Sequence, residues 1–254
     1  MLNKRTAYII CSNPRSGTTL LCDMLKQTGV AGRPNSFFRE KSLKDWCEEW
    51  GVAGPIDRLD DGFSNRFFAA IERERRGDNG VLGIRIMGPD RQLSCEWLAR
   101  RHSALGTDAA RFDAAFGPTR YIHLSRQDKL AEAVSYLRAE QTGLWHGKPD
   151  GSDLEKIAPT EPDGYDAEKI SARMAELTQY DREWLGWFEQ ENLQPLRMTY
   201  EALAENPLDC LREVLNFIEQ DPNAAEGVSP GVRKLADETS AAWIEQFRSS
   251  NSAR

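Results

Sequence analysis

The sequence predicts an α/β domain with a mainly parallel central sheet flanked by helices. Three observations carry that reading. Tyr8-Ile9-Ile10-Cys11 is a near-continuous apolar run of strand length, followed by a tight loop and an apolar helical stretch. The same order recurs at Gly80–Met87 followed by Arg91–Arg100, and at Tyr121–Leu124 followed by Lys129–Leu144. The runs are continuous rather than alternating, as expected of parallel strands covered on both faces.

Taken in order, Thr6–Cys11 is the first strand. The helix after it begins near Gly17, packs through Leu20, Leu21, Met24 and Leu25, and meets a stop signal at Gly29. Gly32–Glu40 is an irregular, partly aromatic loop placed to form a substrate wall. Lys41–Trp50 and Asn65–Arg76 read as helices joined by a surface connection over Gly51–Gly62. Arg85 interrupts the second apolar run, which leaves two readings. Either it escapes at a sheet edge, or it serves function at the open end of the strand, where parallel sheets hold ligands. Leu130, Val134, Leu137, Gln141 and Leu144 give the Lys129–Leu144 helix its spacing.

Residues 145–163 are rich in Gly, Pro and Asp, and read as a mobile substrate-side loop or a solvated connector. Ala167–Glu191 is one long helix whose stripe of Ile170, Met174, Leu177, Trp184 and Phe188 belongs to the core. Leu196–Met198 is a last short strand. Pro207 starts a further helix with Leu211, Leu215 and Ile218 inward. Val228–Asp237 is irregular, and Ala241–Phe247 closes the chain as a helix.

A length of 254 residues fits a single domain over 1–254, and 40% hydrophobic residues with seven tryptophans suffice for a packed core. The net charge is −7, from 33 basic and 40 acidic residues, which argues against an extended nucleic-acid face. A few focused arginines can still form an anion pocket within such a surface. The five cysteines, Cys11, Cys22, Cys47, Cys95 and Cys210, have neither metal-ligand nor disulfide spacing, and Cys11 and Cys22 are expected as packed thiols. No metal site is expected. No apolar run reads as a signal peptide or membrane span, so a cytoplasmic location is the default. The aromatic and apolar segments leave a homo-oligomer open.

The first turn carries the chemistry. Ser12-Asn13-Pro14-Arg15-Ser16-Gly17-Thr18-Thr19 lies between strand and helix, where backbone N–H groups point at an anion. Arg15, Ser16, Thr18 and Thr19 add side-chain donors. The alternatives are a structural hydroxyl-rich turn, with Arg15 as a surface cap. The Gly-Lys-Ser/Thr of an ATP-binding loop is absent. A second segment strengthens the functional reading. Arg126 falls just after the third strand, and Ser135 stands about 9 Å up a helix starting near Lys129. Together they can grip one phosphate from two directions.

On these residues the chain resembles the sulfotransferases that use 3′-phosphoadenosine-5′-phosphosulfate (PAPS), most nearly the bacterial trehalose 2-sulfotransferase-like family. The resemblance rests on Tyr8–Leu21, on Gly29-Val30-Ala31-Gly32 with Pro34 and Phe37-Phe38, and on a second block of His123, Arg126, Asp128, Ala133-Val134-Ser135, Arg138-Ala139, Gln141-Thr142, Trp145 and Gly147. It continues weakly to Ala236-Asp237 and Trp243. It implies a P-loop-like sulfotransferase fold and transfer of a sulfuryl group from PAPS to a hydroxylated small molecule, a carbohydrate or glycolipid, leaving 3′-phosphoadenosine-5′-phosphate (PAP). It assigns Arg15, Ser16, Gly17, Thr18 and Thr19 to the 5′-phosphosulfate, and Arg126 and Ser135 to the 3′-phosphate. Arg233 and Lys234 are candidates for a positive rim, against the alternative of an exposed basic pair. Ser36, Phe37, Trp145 and His146 are candidates for acceptor contact.

Sulfuryl transfer needs support for charge on the leaving phosphate, for which Arg15 is the candidate, and a base for the acceptor proton. The glycolipid-type relatives carry a catalytic glutamate at the position of Ser36, and a second glutamate at Arg33. Neither is present here. Glu40, His123 and His146 are the candidate replacements, beside an acceptor that ionises unaided. A PAP-binding module without turnover and an ATP-dependent phosphotransferase are the competing readings.

Overall fold

The computed structural model describes residues 5–54, 61–233, 235 and 237–252. Six strands occur in the described chain: β1 (Thr6–Ser12), β2 (Val81–Met87), β3 (Thr119–Ser125), β4 (Leu144–Gly147), β5 (Asp153–Lys156) and β6 (Leu196–Thr199). β1, β2, β3 and β6 form a parallel sheet in the order β2-β1-β3-β6. Ser12 lies level with Met87 and Leu124, and Ser125 with Thr199. All four strands therefore release the chain at one edge, where a doubly covered parallel sheet gathers its loops.

The helices are α1 (Thr18–Gln27), α2 (Glu40–Trp50), α3 (Asp61–Arg75), α4 (Gly88–Arg101), α5 (Asp108–Phe116), α6 (Lys129–Thr142), α7 (Ala167–Gln190), α8 (Tyr200–Glu205), α9 (Pro207–Phe217) and α10 (Glu238–Ser252). They cover both faces. Ala7, Ile9 and Cys11 of β1 join Leu82, Ile84 and Ile86 of β2 in a core completed by aromatic residues of α3, α4, α5 and α7. Tyr8 and Ile10 face the other way, onto α1 and α9. A third cluster ties α6 and α7 to α10 through Leu137, Leu177, Trp243 and Phe247.

The period of two along β2 explains Arg85. Gly83 and Arg85 point to the α1 side, opposite Leu82, Ile84 and Ile86. Arg85 thus lies on an edge strand, yet its side chain turns toward the start of α1. Gly83 is dictated by packing. A Cβ there would strike the Tyr8 hydroxyl and come within 2.8 Å of Pro34 Cβ. Tyr8 is fully buried, and its hydroxyl donates to the Ala31 carbonyl at 2.9 Å.

Residues 145–163, expected as a loop, carry the antiparallel β4–β5 pair. α6 ends at Thr142 because Gly143 turns left-handed, with φ 71°. Leu144, expected in the helix, instead starts β4. A side chain at Gly143 would collide with the Ile157 carbonyl, so this glycine also seats the hairpin's far end. Two further helices had not been expected. α5 is capped by Thr107, which accepts from Ala110 N at 3.2 Å, and α8 by Thr199, which accepts from Ala202 N at 3.2 Å. Residues 55–60, Lys234 and Ala236 lie outside the described residues.

Gly83→Ala is expected to lower unfolding free energy by about 1–3 kcal/mol, since overpacking displaces Tyr8 and its hydrogen bond. Urea titration checks this, and an unchanged midpoint refutes it.

Candidate active site

The loop from β1 to α1 forms the floor of the site. Arg15 takes φ 72°, rare for a residue with a Cβ, and Gly17 takes φ 81°. A Cβ on Gly17 would sit 2.7 Å from the Tyr200 ring, so glycine is required for space as well as conformation. α1 then begins without a side-chain cap. Its first-turn N–H groups have no partner within the helix.

A polar chain fixes this loop from behind. Asn13 Nδ2 donates to Asp181 Oδ1 at 2.6 Å, and Asp181 pairs with Lys129 at 2.6 Å. Lys129 pairs with Glu132 at 2.7 Å, and the Ser16 hydroxyl donates to Glu132 Oε1 at 2.8 Å. Ser16 and Glu132 are fully buried. The expectation that the Ser16 hydroxyl serves the anion is therefore corrected: this side chain is committed to the scaffold.

In front lies a cavity of about 740 Å³. Arg15 Nε donates to Ser135 Oγ at 3.0 Å, and its Nη1 donates to the Trp145 carbonyl. Arg126 Nη1 donates to the Arg15 carbonyl at 3.2 Å, with its guanidinium 4.5 Å from the centre of the Tyr200 ring. Arg85 Nε donates to Ser36 Oγ at 2.9 Å and Nη1 to Thr19 Oγ1 at 3.0 Å. Arg233 enters from the far side, and its backbone N–H donates to the Gly147 carbonyl at 2.9 Å. Among the described residues, none of Arg15, Arg85, Arg126 and Arg233 makes an ion pair with a carboxylate. The buried Nε atoms of Arg126 and Arg233 and the Trp145 Nε1 have no hydrogen-bond partner among them either.

The electrostatics follow. Burial, and then the charge of Arg126, lowers the Arg15 guanidinium to about 10, where it remains charged at neutral pH. His146 Nε2 lies 3.0 Å from Thr19 Oγ1 and 3.4 Å from Glu155 Oε2. Burial, together with Arg15, Arg85 and Arg39, holds its imidazole down at about 3. Asp90 goes the other way. Burial lifts its carboxyl to about 6, against the opposing pull of Arg39 and Arg85.

The cavity brings together Arg15, Gly17, Thr18, Thr19, Ser36, Glu40, Arg126, Ser135, Trp145, His146 and Arg233 of the sequence candidates. It does not include His123 or Phe37. His123 lies on the α7 face of β3, its ring 5.4 Å from Phe188, and burial lowers it to about 4. That position corrects its reading as a catalytic base. Phe37 is fully buried, 5.8 Å from both Trp46 and Trp50, and is a core residue rather than an acceptor contact. Sequence reasoning had missed Asp90 and Tyr200, and had named Arg39 and Glu155 only as part of the substrate-side segments Gly32–Glu40 and 145–163; all four line the cavity. Asp90 and Tyr200 had one available signal: each follows a strand at its open end.

A nucleotide-sized cavity of unpaired arginines at the open edge of a parallel sheet defines an α/β enzyme for anionic donors. The family model for the Stf0 sulphotransferase matches residues 7–250. Trehalose 2-sulfotransferase of Mycolicibacterium smegmatis is 31% identical over 269 residues, covering 98% of this chain and 96% of the relative. Trehalose 2-sulfotransferase of Mycobacterium tuberculosis is 30% identical, covering 95% and 94%. The sulfotransferase domain of the Synechococcus PCC 7002 olefin synthase shares the fold, with a TM-score of 0.50 at 16% identity over 97% of this chain and 88% of that domain. The chain belongs to the Stf0 sulphotransferase family. It is a sulfotransferase, and membership implies PAPS as donor. Among the described residues no cluster of His, Cys, Asp and Glu is arranged to hold a metal ion, and no helix is long and apolar enough to cross a membrane.

His146 should show no imidazole inflection above about pH 5 in the ligand-free protein, because burial and, after it, three arginines oppose its protonation. PAP should offset those charges and move the inflection upward. Imidazole NMR shifts followed against pH check this, and an ordinary histidine titration without ligand refutes it.

Proposed function

We propose that this enzyme holds PAPS across the arginine cavity and transfers its sulfuryl group to a sugar hydroxyl, with trehalose or a trehalose-like disaccharide as acceptor. The observation that carries the donor reading is the set of four arginines without carboxylate partners, two of them with orphaned buried Nε–H groups. A buried donor without an acceptor is costly. An oxyanion would satisfy such a set, whereas a neutral ligand would leave its charge in place. The residues present therefore fit a donor bearing a phosphosulfate and a separate phosphate. The acceptor reading is supported by the names and the nearly full-length likeness of the two mycobacterial relatives.

The roles follow from position. The uncapped start of α1, with Gly17, Thr18 and Thr19, offers N–H groups and hydroxyls to the 5′ end of the donor. Arg15 supports charge developing on the leaving phosphate oxygen. Ser135 already accepts from Arg15 Nε, so its own hydroxyl hydrogen is free for a ligand oxygen. With Arg126 it forms the 3′-phosphate grip, and Arg233 closes the rim. Arg85, held between Thr19 and Ser36, stands where the transferred group passes from donor side to acceptor side. PAPS supplies an activated sulfuryl group on a phosphate leaving group.

Calorimetry should show PAP binding about 100-fold more tightly than adenosine-5′-phosphate. Arg126→Ala should weaken PAP by about 10- to 100-fold, the worth of a charged hydrogen-bonding contact, and leave adenosine-5′-phosphate nearly unchanged. Labelled sulfate should pass from PAPS to trehalose. Equal affinity for the two nucleotides sinks the donor reading.

A further inference from the structure

We propose that Asp90 is the general base that removes the acceptor proton in this enzyme. This rests on the sulfuryl-transfer reading above and adds the residue that reading lacks. The wall facing the α1 loop is built from Ser36, Arg39 and Glu40 at the entry to α2, and from Arg85 and Asp90 at the open end of β2. With the phosphate end of the donor seated on the loop, this reading brings the acceptor oxygen in from this wall, where Arg85 bridges Thr19 of the loop to Ser36.

The other groups of the wall are engaged or unsuited. Ser36 accepts from Arg85 Nε, and a hydroxyl is not a resting base at neutral pH. Glu155 has Oε1 3.9 Å from Arg39 and Oε2 3.4 Å from His146. His146 sits against Thr19, and burial together with three arginines weakens it as a proton acceptor. Glu40 is exposed at the first turn of α2.

Asp90 differs on each count. It is half-buried in the third position of α4 and lines the cavity. Among the described residues its carboxylate has no hydrogen-bond or ion-pair partner, so a lone pair is free for an incoming hydroxyl. The charged groups acting on it are Arg85 from β2 and Arg39 and Glu40 from the α2 entry. On its own helix, Arg91 turns away to Glu183 at 3.7 Å. From α7, Tyr180 backs onto Gly88, and its hydroxyl donates to Glu176 at 2.9 Å. Burial raises the carboxyl toward the proton affinity useful at neutral pH, while Arg39 and Arg85 keep it ionised there. In the step, Asp90 takes the hydroxyl proton as the acceptor oxygen bonds to sulfur. The bond from sulfur to the phosphate oxygen breaks with its electron pair going to phosphate, and the proton leaves Asp90 to water.

The test compares wild type, Asp90→Asn and Asp90→Glu in the sugar assay above, with PAP affinity as a separate readout. Asp90→Asn should lose about 100-fold or more in kcat, while PAP affinity stays within about threefold. The wild-type rate should rise with pH through a limb at or above about pH 6, because the base must be ionised and bound donor charge lifts its pKa further. Asp90→Asn should lose that limb, and Asp90→Glu should keep it and recover at least about tenfold in rate. An Asp90→Asn enzyme within about threefold of wild type, or one that keeps the acid limb, overturns the proposal. If Asp90→Asn does not fold, a flat wild-type profile from roughly pH 5 to 8 overturns it. Wild type that binds PAP no better than adenosine-5′-phosphate instead overturns the donor reading, before the variants are compared.

Discussion

Arg15 is held in a left-handed backbone conformation, with its guanidinium spanning Ser135 and the Trp145 carbonyl, and the rest of the site is arranged around that placement. Such a conformation costs about 1–2 kcal/mol for a residue with a Cβ. The chain from Asn13 through Asp181, Lys129 and Glu132 to Ser16 holds the loop in it from behind. The division of labour is chemical. Behind the loop, carboxylates and an ammonium pair with one another and add rigidity without exporting charge. In front of it, Arg15, Arg85 and Arg126 meet hydroxyls and carbonyls, which orient a guanidinium without neutralising it. A carboxylate in place of Ser135 would hold Arg15 as well, but would cancel the charge that an anion needs.

The same logic extends to the hairpin. β4 supplies the Trp145 carbonyl to Arg15, brings His146 to Thr19, and is stitched to Arg233 through Gly147. β5 supplies Glu155, which lies between Arg39 and His146. The hairpin therefore joins the β1–α1 loop to the entry of α2. Arg85 makes a second junction from the sheet below, between Thr19 and Ser36. The serine at position 36 is consistent with this: it orients Arg85 and leaves its charge intact, where a carboxylate would pair with it. Under the proposed function the proton acceptor then lies at another position of the cavity.

Much of the fold, and the residues that gather at the first loop of the cavity, were legible because the information is local. A strand, a tight turn and a helix in sequence place N–H groups whatever the distant packing does. Arg126 follows β3 directly, and Ser135 is two turns up the helix that comes next. Legibility failed where the outcome depends on which sheet face a residue meets or on partners far along the chain. The period of two says that His123 and Ile122 point opposite ways, but not which side the cavity occupies. His123 met Phe188, 65 positions later by direct subtraction of their numbers. Phe37 and Ser36 are neighbours with opposite fates for the same reason. Ser16 was lost to Glu132, a carboxylate that reads as an ordinary helix-surface charge until Lys129 and Asp181 are seen beside it. The four-residue strands of the hairpin are too short to impose a period, and two register shifts further blur their alternation.

Asp90 and His146 show how one field can tune two groups in opposite senses. Both are removed from water, which disfavours the charged form of each: the carboxylate of Asp90 and the imidazolium of His146. The nearby arginines then act on the two differently. They oppose a positive charge on His146, adding to desolvation, and favour a negative charge on Asp90, working against it. His146 is consequently held neutral, so it can share a hydrogen bond with Thr19 without adding another positive charge beside Arg15, Arg85, Arg126 and Arg233. Asp90 is left with its carboxyl raised to about 6, still mainly ionised at neutral pH. That balance is a property of the enclosed wall, since neither residue has a sequence neighbour that would shift it so far. Under the proposed function the two tasks separate: neutral and cationic groups serve the donor, and a carboxylate of tuned affinity serves the acceptor.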